Sequence, residues 1–197
     1  MSFTNNFKNK VVLVTGNTGF KGSWLSLWLN LMGAKVIGVS KDIPTIPSHY
    51  KLNNKFYMKN EKFDLSNKKL ITKIIKNSKP DYIFHLAAQA IVLESYSDPY
   101  ATYQSNTVGT LNILESLKES NHKCTAILIT SDKCYENINK KVNYKENDRL
   151  GGLDPYSSSK ASAELIIRSY YESYFKTKSS NVRICSARAG NVMGGGD

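Results

Sequence analysis

Apolar positions fall in short blocks that alternate between two periods. Residues 10–15 (KVVLVT) form a compact β-branched run ending at a glycine, the pattern of a strand buried on both faces. From Phe20 to Met32 the chain carries Trp24, Leu25, Leu27, Trp28, Leu29 and Leu31 over a helix length, and Gly33 supplies a stop. Residues 35–39 (KVIGV) read as a second strand. Residues 41–55, with Pro44 and Pro47, read as a loop, and 56–65 as the place of a short third strand. Leu70, Ile71, Ile74 and Ile75 recur at helical spacing over 67–77, and Pro80 bars continuation.

The alternation continues. Residues 81–86 (DYIFHL) predict a strand, and Pro99 opens a long helix to about Ser120. Residues 125–130 (TAILIT) predict a strand, 136–155 a polar loop, 156–175 a helix and 182–189 a last strand. Strands separated by helices call for parallel pairing through helical crossovers, hence a doubly wound parallel α/β sheet. There is no internal repeat.

Composition changes this picture little. With 197 residues, 41% hydrophobic and 22% charged, the chain has material for one sizeable core, here taken as a single domain over 1–197. Collagen, coiled coil, disulfide miniprotein and wholesale disorder are excluded. The net charge of +11 invites a nucleic-acid reading. Against it, the lysines are scattered, and no basic run exceeds the pairs Lys68-Lys69 and Lys140-Lys141. Solvated surface lysine is the plainer reading, with attraction of an anionic small molecule as the functional one. Cys124, Cys134 and Cys185 are widely spaced without any C-x-x-C, so neither a disulfide framework nor a metal site is expected. The polar first ten residues lack a signal-peptide pattern, and no apolar stretch is long enough to span a bilayer. A soluble cytoplasmic protein that binds neither nucleic acid nor membrane is expected.

The candidate chemistry lies at strand ends. The first strand runs into Thr15-Gly16-Asn17-Thr18-Gly19-Phe20-Lys21-Gly22, with glycines at i, i+3 and i+6. Gly16 permits a tight turn, Gly19 lets backbone approach a pyrophosphate, and Gly22 lets the helix lie close to the sheet. The helix N-terminus then faces the phosphates with free N–H groups. With a strand before and a helix after, this is a dinucleotide-binding turn in the wider G-x-x-G-x-x-G spacing of the short-chain dehydrogenase/reductase superfamily. At the end of the second strand stands Ser40-Lys41-Asp42. Asp42 suits ribose hydroxyls and Lys41 a 2′-phosphate, so spacing leaves NAD and NADP both open.

Tyr156 and Lys160 lie four apart at the start of a predicted helix, on one face. A neighbouring ammonium stabilises phenolate and suits the tyrosine to act as a base. Ser131-Asp132-Lys133 follow the strand 125–130 at its carboxyl end, where ligands of open α/β sheets sit. Ala87 and Ala88 end the preceding strand with side chains small enough for a cofactor to approach, and His85 reads as a satisfied core residue.

The segments TGNTGFKGSWLSLWL, HLAAQ, TSDKCYEN, LGGLDPYSSSKASAELI and SARAGNVMGGGD together resemble the CDP-glucose 4,6-dehydratases, extended short-chain dehydrogenases of Rossmann fold. Lys133 stands where the dTDP-glucose and GDP-mannose dehydratases carry a glutamate, which favours the CDP-glucose branch. The resemblance implies NAD as cofactor and CDP-4-keto-6-deoxyglucose as product, within deoxysugar biosynthesis for lipopolysaccharide O-antigen. It implies that Tyr156 takes the proton of the sugar 4-hydroxyl with Ser131 sharing the hydrogen bond, and that Lys160 lowers the tyrosine pKa. Hydride passes from C4 to the cofactor. Water leaves across C5 and C6, with Asp132 as acid at the 6-hydroxyl and Lys133 assisting at C5, and hydride returns to C6. Gly16, Gly19, Phe20 and Gly22 match the pyrophosphate turn, Asp64 and Leu65 the adenine contact, and Ala87, Ala88 and Gln89 the strand end beside the cofactor. Asn191 matches a residue near the substrate diphosphate. A homodimer is also implied. Chains of that family are substantially longer, so a C-terminal substrate region is expected to be missing, and the last strand, 182–189, deprived of later neighbours, is expected to present an exposed edge or apolar patch. The competing readings are another nucleotide-sugar epimerase or reductase of the superfamily, and a cofactor-binding fragment without turnover.

Overall fold

The computed structural model describes residues 6–138, 143–177 and 179–196. Lys140 and Lys141 lie outside the described residues.

Six parallel strands form one sheet in the order β3-β2-β1-β4-β5-β6. They are β1 (Val11–Thr15), β2 (Lys35–Ser40), β3 (Lys59–Lys62), β4 (Tyr82–His85), β5 (Cys124–Ser131) and β6 (Val182–Ala189). The helices are α1 (Phe20–Leu31), α2 (His49–Asn53), α3 (Lys68–Ser78), α4 (Val92–Ser97), α5 (Pro99–Tyr103), α6 (Gly109–Lys118) and α7 (Pro155–Tyr170). The strand order reverses between β1 and β4, so a crevice opens beyond their carboxyl ends. In register, Thr15 lies opposite Val39 on one side and His85 on the other.

Alternation along β1 divides the core between the two faces of the sheet. Leu13 joins Ile37, Ile83, Ala126 and Leu128 on the face covered by α3, α6 and α7. Val12, Val14 and Val36 join Leu29 and Met32 on the face covered by α1. The face of α1 turned inward is made of small residues, Gly22, Ser23 and Ser26 with Leu29, while Trp24 and Trp28 are about half exposed (45% and 54%). Beyond α1 the second face is thinly covered. β6 closes the sheet as an edge strand, with Arg183, Cys185 and Ala187 exposed along it. This agrees with the exposed edge expected from the sequence.

The helix and strand assignments hold with four refinements, the first being that the helix expected over 156–175 is α-helical to Tyr170 and ends in a π turn over Tyr171–Phe175. The loop expected over 41–55 contains α2 and leads into a 3₁₀ turn at Asn54–Phe56. A short helix, α4, precedes Pro99. The long helix expected from Pro99 is α5 and α6 joined by a π turn over Gln104–Val108. That turn inserts the buried Asn106 into the helical run, and such bulges collect at functional sites.

Candidate active site

A crevice of about 920 Å³ occupies the switch point. The glycine turn forms one wall. Gly16 has φ +72°, and a Cβ on it would lie 2.7 Å from the Ala87 nitrogen. That is why the turn out of β1 can pass against the end of β4. A Cβ on Gly22 would lie 2.1 Å from the Gly16 carbonyl oxygen, so the third glycine lets α1 press on the turn itself. Gly19 is the N-cap of α1, and the first turn has neither a side-chain cap nor an acidic residue. Its N–H groups lack intrahelical partners and add the positive end of the helix dipole to the crevice. Asn17 anchors the turn sideways by accepting from the Ser40 hydroxyl (2.8 Å) and donating to the Asn60 side chain (2.9 Å).

The adenosine end lies where β2 and β3 stop. Asp64 and Leu65 line the crevice there together with Ser40, Lys41 and Asp42. The Lys41 ammonium pairs with the Asp64 carboxylate at 3.3 Å, and Thr18 Oγ1 donates to the Asp42 carbonyl at 2.5 Å. Ala87, Ala88 and Gln89 form the facing wall after β4. His85 is indeed a satisfied core residue, paired with Thr15 Oγ1 (2.7 Å) and Thr110 Oγ1 (3.1 Å). Burial and the Lys160 charge push its pKa down to about 3, which keeps the ring neutral.

The reactive end is assembled from β5 and α7. Ser131 ends β5, and its Oγ accepts from the Lys133 backbone N–H at 3.2 Å and donates to Asp132 Oδ1 at 3.2 Å. Asp154 caps α7 through the Ser157 N–H, and Pro155 opens the helix. This places Tyr156 in the first turn, with its own N–H donating to Ser95 Oγ at 3.2 Å. The phenol faces the same crevice as Ser131; burial raises its pKa and the Ser131 side chain lowers it. Ser131, Asp132, Lys133, Tyr156 and Asn191 all line the crevice, as do Gly16, Gly19, Phe20 and Gly22. Lys160 lies beneath them, almost wholly buried, with its ammonium 6.0 Å from the Tyr156 ring centroid.

The electrostatics differ from the expectation at one point. Burial holds the Tyr156 phenol above its ordinary value and outweighs the lowering by Ser131, with Asp132 and Asp154 adding to the rise. Lys160 is itself desolvated and sits beside a second cation, Lys21, so its own pKa falls to about 8. In this geometry the lysine does not bring the phenol below its usual range.

Three connections escaped the sequence reading. Asn106 accepts from the Gln89 N–H (2.8 Å) and donates to the Gln89 carbonyl (3.0 Å) and to Ser159 Oγ (2.9 Å). It thereby ties the β4 wall to the helix bearing Tyr156. Ser95 anchors the Tyr156 backbone, and Glu164 is buried behind Lys160. Asn106 lies in the polar run Gln104-Ser105-Asn106-Thr107, and no sequence signal set it apart from its neighbours. A smaller hollow of about 570 Å³ lies on α3 among Lys68, Lys73, Lys76 and Glu119, and holds none of the expected site residues. Among the described residues no cluster of His, Cys, Asp and Glu is suited to a metal ion, and no helix is long and apolar enough to cross a membrane.

Comparison with known proteins agrees with this geometry. Over 98% of its length the chain is 44% identical to the CDP-glucose 4,6-dehydratase of Salmonella typhimurium, covering 55% of that protein. It is 30% identical to the dTDP-D-glucose 4,6-dehydratase of Dictyostelium discoideum over 93% of the chain and 44% of that protein. Among solved structures, the UDP-glucose 4-epimerase of Thermotoga maritima with UDP-glucose superposes with a TM-score of 0.77 at 25% identity, over 90% of this chain and 54% of that one. The chain thus spans about half the length of these relatives. The family model described as GDP-mannose 4,6 dehydratase matches residues 13–194, and the chain belongs to that family, corresponding to the N-terminal portion of its relatives on an extended short-chain dehydrogenase fold.

Proposed function

We propose that this chain carries the cofactor site and the reacting groups of a CDP-glucose 4,6-dehydratase that works with NAD. The observation that carries the reading is the placement of Ser131, Asp132 and Lys133 in one crevice with Tyr156. An oxidation site alone needs the tyrosine and the serine. An acid and an amine beside them suit a second step, loss of water.

The cradle fits a dinucleotide. Gly16 and Gly22 let the turn pack backbone to backbone where a Cβ would clash, Gly19 lines the crevice with only the Gly16 oxygen (3.4 Å) near its Cβ position, and the uncapped start of α1 faces that crevice. Asp64 and Leu65 hold the adenine, and Ala87, Ala88 and Gln89 lie along the cofactor. NAD rather than NADP is supported at the ribose, since Lys41 is engaged by Asp64 and the Asp42 carboxylate stands at the end of β2. Bound there, the nicotinamide supplies a reversible hydride acceptor.

The residues of the chain do the rest. Tyr156 removes the proton of the sugar 4-hydroxyl, and Ser131 steadies the phenolate by its hydrogen bond. Lys160, buried beneath the crevice, would hold the ribose of a bound nicotinamide. A ketone at C4 acidifies the C5 hydrogen, and Lys133 accepts that proton. Asp132 gives a proton to the 6-hydroxyl, which departs as water. Asn191 holds the substrate diphosphate. Exposed Leu93, Tyr96 and Tyr100 on α4 and α5, with Leu165 on the adjoining α7, support pairing of two copies. The 44% identity to the Salmonella enzyme supports the CDP-glucose branch.

The test is mass spectrometry of CDP-glucose incubated with the chain and NAD. The expected product has lost one water, carries the C4 hydrogen isotope at C6, and disappears with Tyr156→Phe. Inversion at C4 without loss of water would replace this reading with an epimerase. Cofactor binding without any turnover would replace it with a binding fragment.

A further inference from the structure

Glu164 is buried on α7 at 4% exposure and takes no part in the steps above. It stands four residues after Lys160 and eight after Tyr156, so all three share one face of the helix. Its carboxylate accepts from Thr130 Oγ1, from Ser186 Oγ at 3.1 Å and from Arg188 Nη2 at 2.9 Å. Arg188 then reaches onward. Its Nη1 donates to the Tyr135 hydroxyl (2.9 Å) and to the Glu146 carbonyl (2.9 Å), and its guanidinium lies 4.8 Å from the Tyr135 ring centroid. Tyr135 in turn stacks on Tyr144 at 4.7 Å.

The contacts bracket the reacting segment. Thr130 is the residue before Ser131, and Tyr135 comes two after Lys133. One end of Ser131-Asp132-Lys133 is therefore held by Glu164 and the other by the arginine paired with it. A buried ion pair is a poor source of stability, since desolvation cancels most of its attraction and apolar packing serves as well or better. A satisfied buried network does hold its members in one arrangement.

We propose that Glu164 and Arg188 are positioning residues that hold the Ser131–Asp132–Lys133 segment against Tyr156 and Lys160, and so couple the water-loss groups to the oxidation groups. This rests on the dehydratase reading for its chemical consequence, but not for its structural one. Sugar oxidation needs Tyr156, which the helix α7 places, and Ser131, which ends β5. Water loss needs Asp132 and Lys133, which protrude from the bracketed segment. Loosening the bracket therefore slows the second step more than the first.

Hydrogen exchange on the full chain, for wild type, Glu164→Gln, Arg188→Lys and Thr130→Val, tests the structural half without turnover. Arg188→Lys keeps the charge but cannot bond Glu164 and the Tyr135 hydroxyl together. Thr130→Val releases only the first end and leaves the ion pair intact, so it serves if the charge variants fail to fold. Amide exchange over 131–135 is expected to rise about tenfold, with β1 and β2 unchanged. No change there, or an equal rise across the whole sheet, overturns the proposal. With CDP-glucose and NAD, the absorbance of reduced nicotinamide is expected to build up in the variants while product formation falls about tenfold to a hundredfold. A proportional fall of both steps makes the pair merely structural and overturns the coupling. A wild type that turns over nothing, yet shows the local exchange response, refutes the dehydratase reading and upholds the positioning.

Discussion

Gly22→Ala tests the cradle most directly, because the substitution adds one carbon and its neighbours are all backbone. The new Cβ would lie 2.1 Å from the Gly16 oxygen, 2.8 Å from the Gly16 carbonyl carbon and 2.9 Å from the Asn17 Cα. Restoring an ordinary contact to that oxygen requires α1 and the turn to separate by about 1 Å. The turn cannot yield freely, since the Gly16 N–H donates to the Val39 carbonyl at 2.8 Å and Asn17 is clamped to Ser40 and Asn60. Overpacking of this kind costs about 1–3 kcal/mol, against at most about 1 kcal/mol gained from the better helix propensity of alanine. The helix N-terminus also retreats from the pyrophosphate by the same distance. NAD affinity is then expected to fall about tenfold or more, equivalent to about 1.4 kcal/mol. The assay is titration with NAD followed by the fluorescence of Trp24 and Trp28, both on α1, with thermal denaturation alongside. Gly195→Ala is the control, since a Cβ there meets nothing within 4 Å. Affinity within twofold of wild type, or an equal loss in the control, would refute the argument that a close backbone approach at Gly22 shapes the site.

Other consequences can be checked independently. Lys160 has a folded-state pKa of about 8 against 10.5 for the free side chain, because burial, then Lys21, disfavours the ammonium. The unfolded chain therefore binds the extra proton between those values, and stability rises with pH across that window. The ammonium costs about 3 kcal/mol of stability near neutrality. Lys160→Met is expected to abolish turnover yet raise the urea midpoint at pH 7, with the gain shrinking towards pH 10; an unchanged or lower midpoint at pH 7 would show the charge to be better solvated than the structure indicates. Asp42→Ala is expected to reduce the preference for NAD over NADP about tenfold, read from the ratio of dissociation constants, and an unaltered ratio would move the discrimination elsewhere. Of the three cysteines, Cys185 is exposed, whereas burial lifts Cys124 to about 12 and Cys134 to about 11. Maleimide is expected to label one thiol in the native chain and three in denaturant, and rapid native labelling of Cys134 would mean that the segment after β5 opens.

Local pattern and chemistry made much of the site legible. A β-branched run followed by glycines at fixed spacing can form few other structures, so the β1–α1 turn and its anion-binding character were readable before any coordinates. The Tyr156–Lys160 pair was readable because helical spacing puts both on one face. Ser131-Asp132-Lys133 stood out because reactive groups at the carboxyl end of a strand in such a sheet face its crevice. The alternation of periods sufficed for the parallel sheet, while the exposed final strand followed from the resemblance to longer chains.

What the sequence could not decide depends on residues that are distant along the chain. Glu164 reads as an ordinary helix charge until the fold brings Thr130, Ser186 and Arg188 onto it, across 34, 22 and 24 positions. Asn106 and the π turn around it become meaningful only when Gln89 and Ser159 are seen on either side. The apolar run of α1 does not say which of its residues meet the sheet, and packing is done by Gly22, Ser23, Ser26 and Leu29 rather than by the tryptophans, because close approach of helix to turn favours small side chains. The ionisation of Tyr156 and Lys160 is likewise a tertiary quantity, since burial and the neighbouring Lys21 set it. The sequence by itself determined the order of elements and the reactive groups at their ends, because hydrophobic period and turn chemistry act over a few residues. Only the tertiary structure decided which of those groups meet, how deeply they are buried and what charge they bear, because desolvation and hydrogen bonding depend on neighbours that the chain supplies from afar.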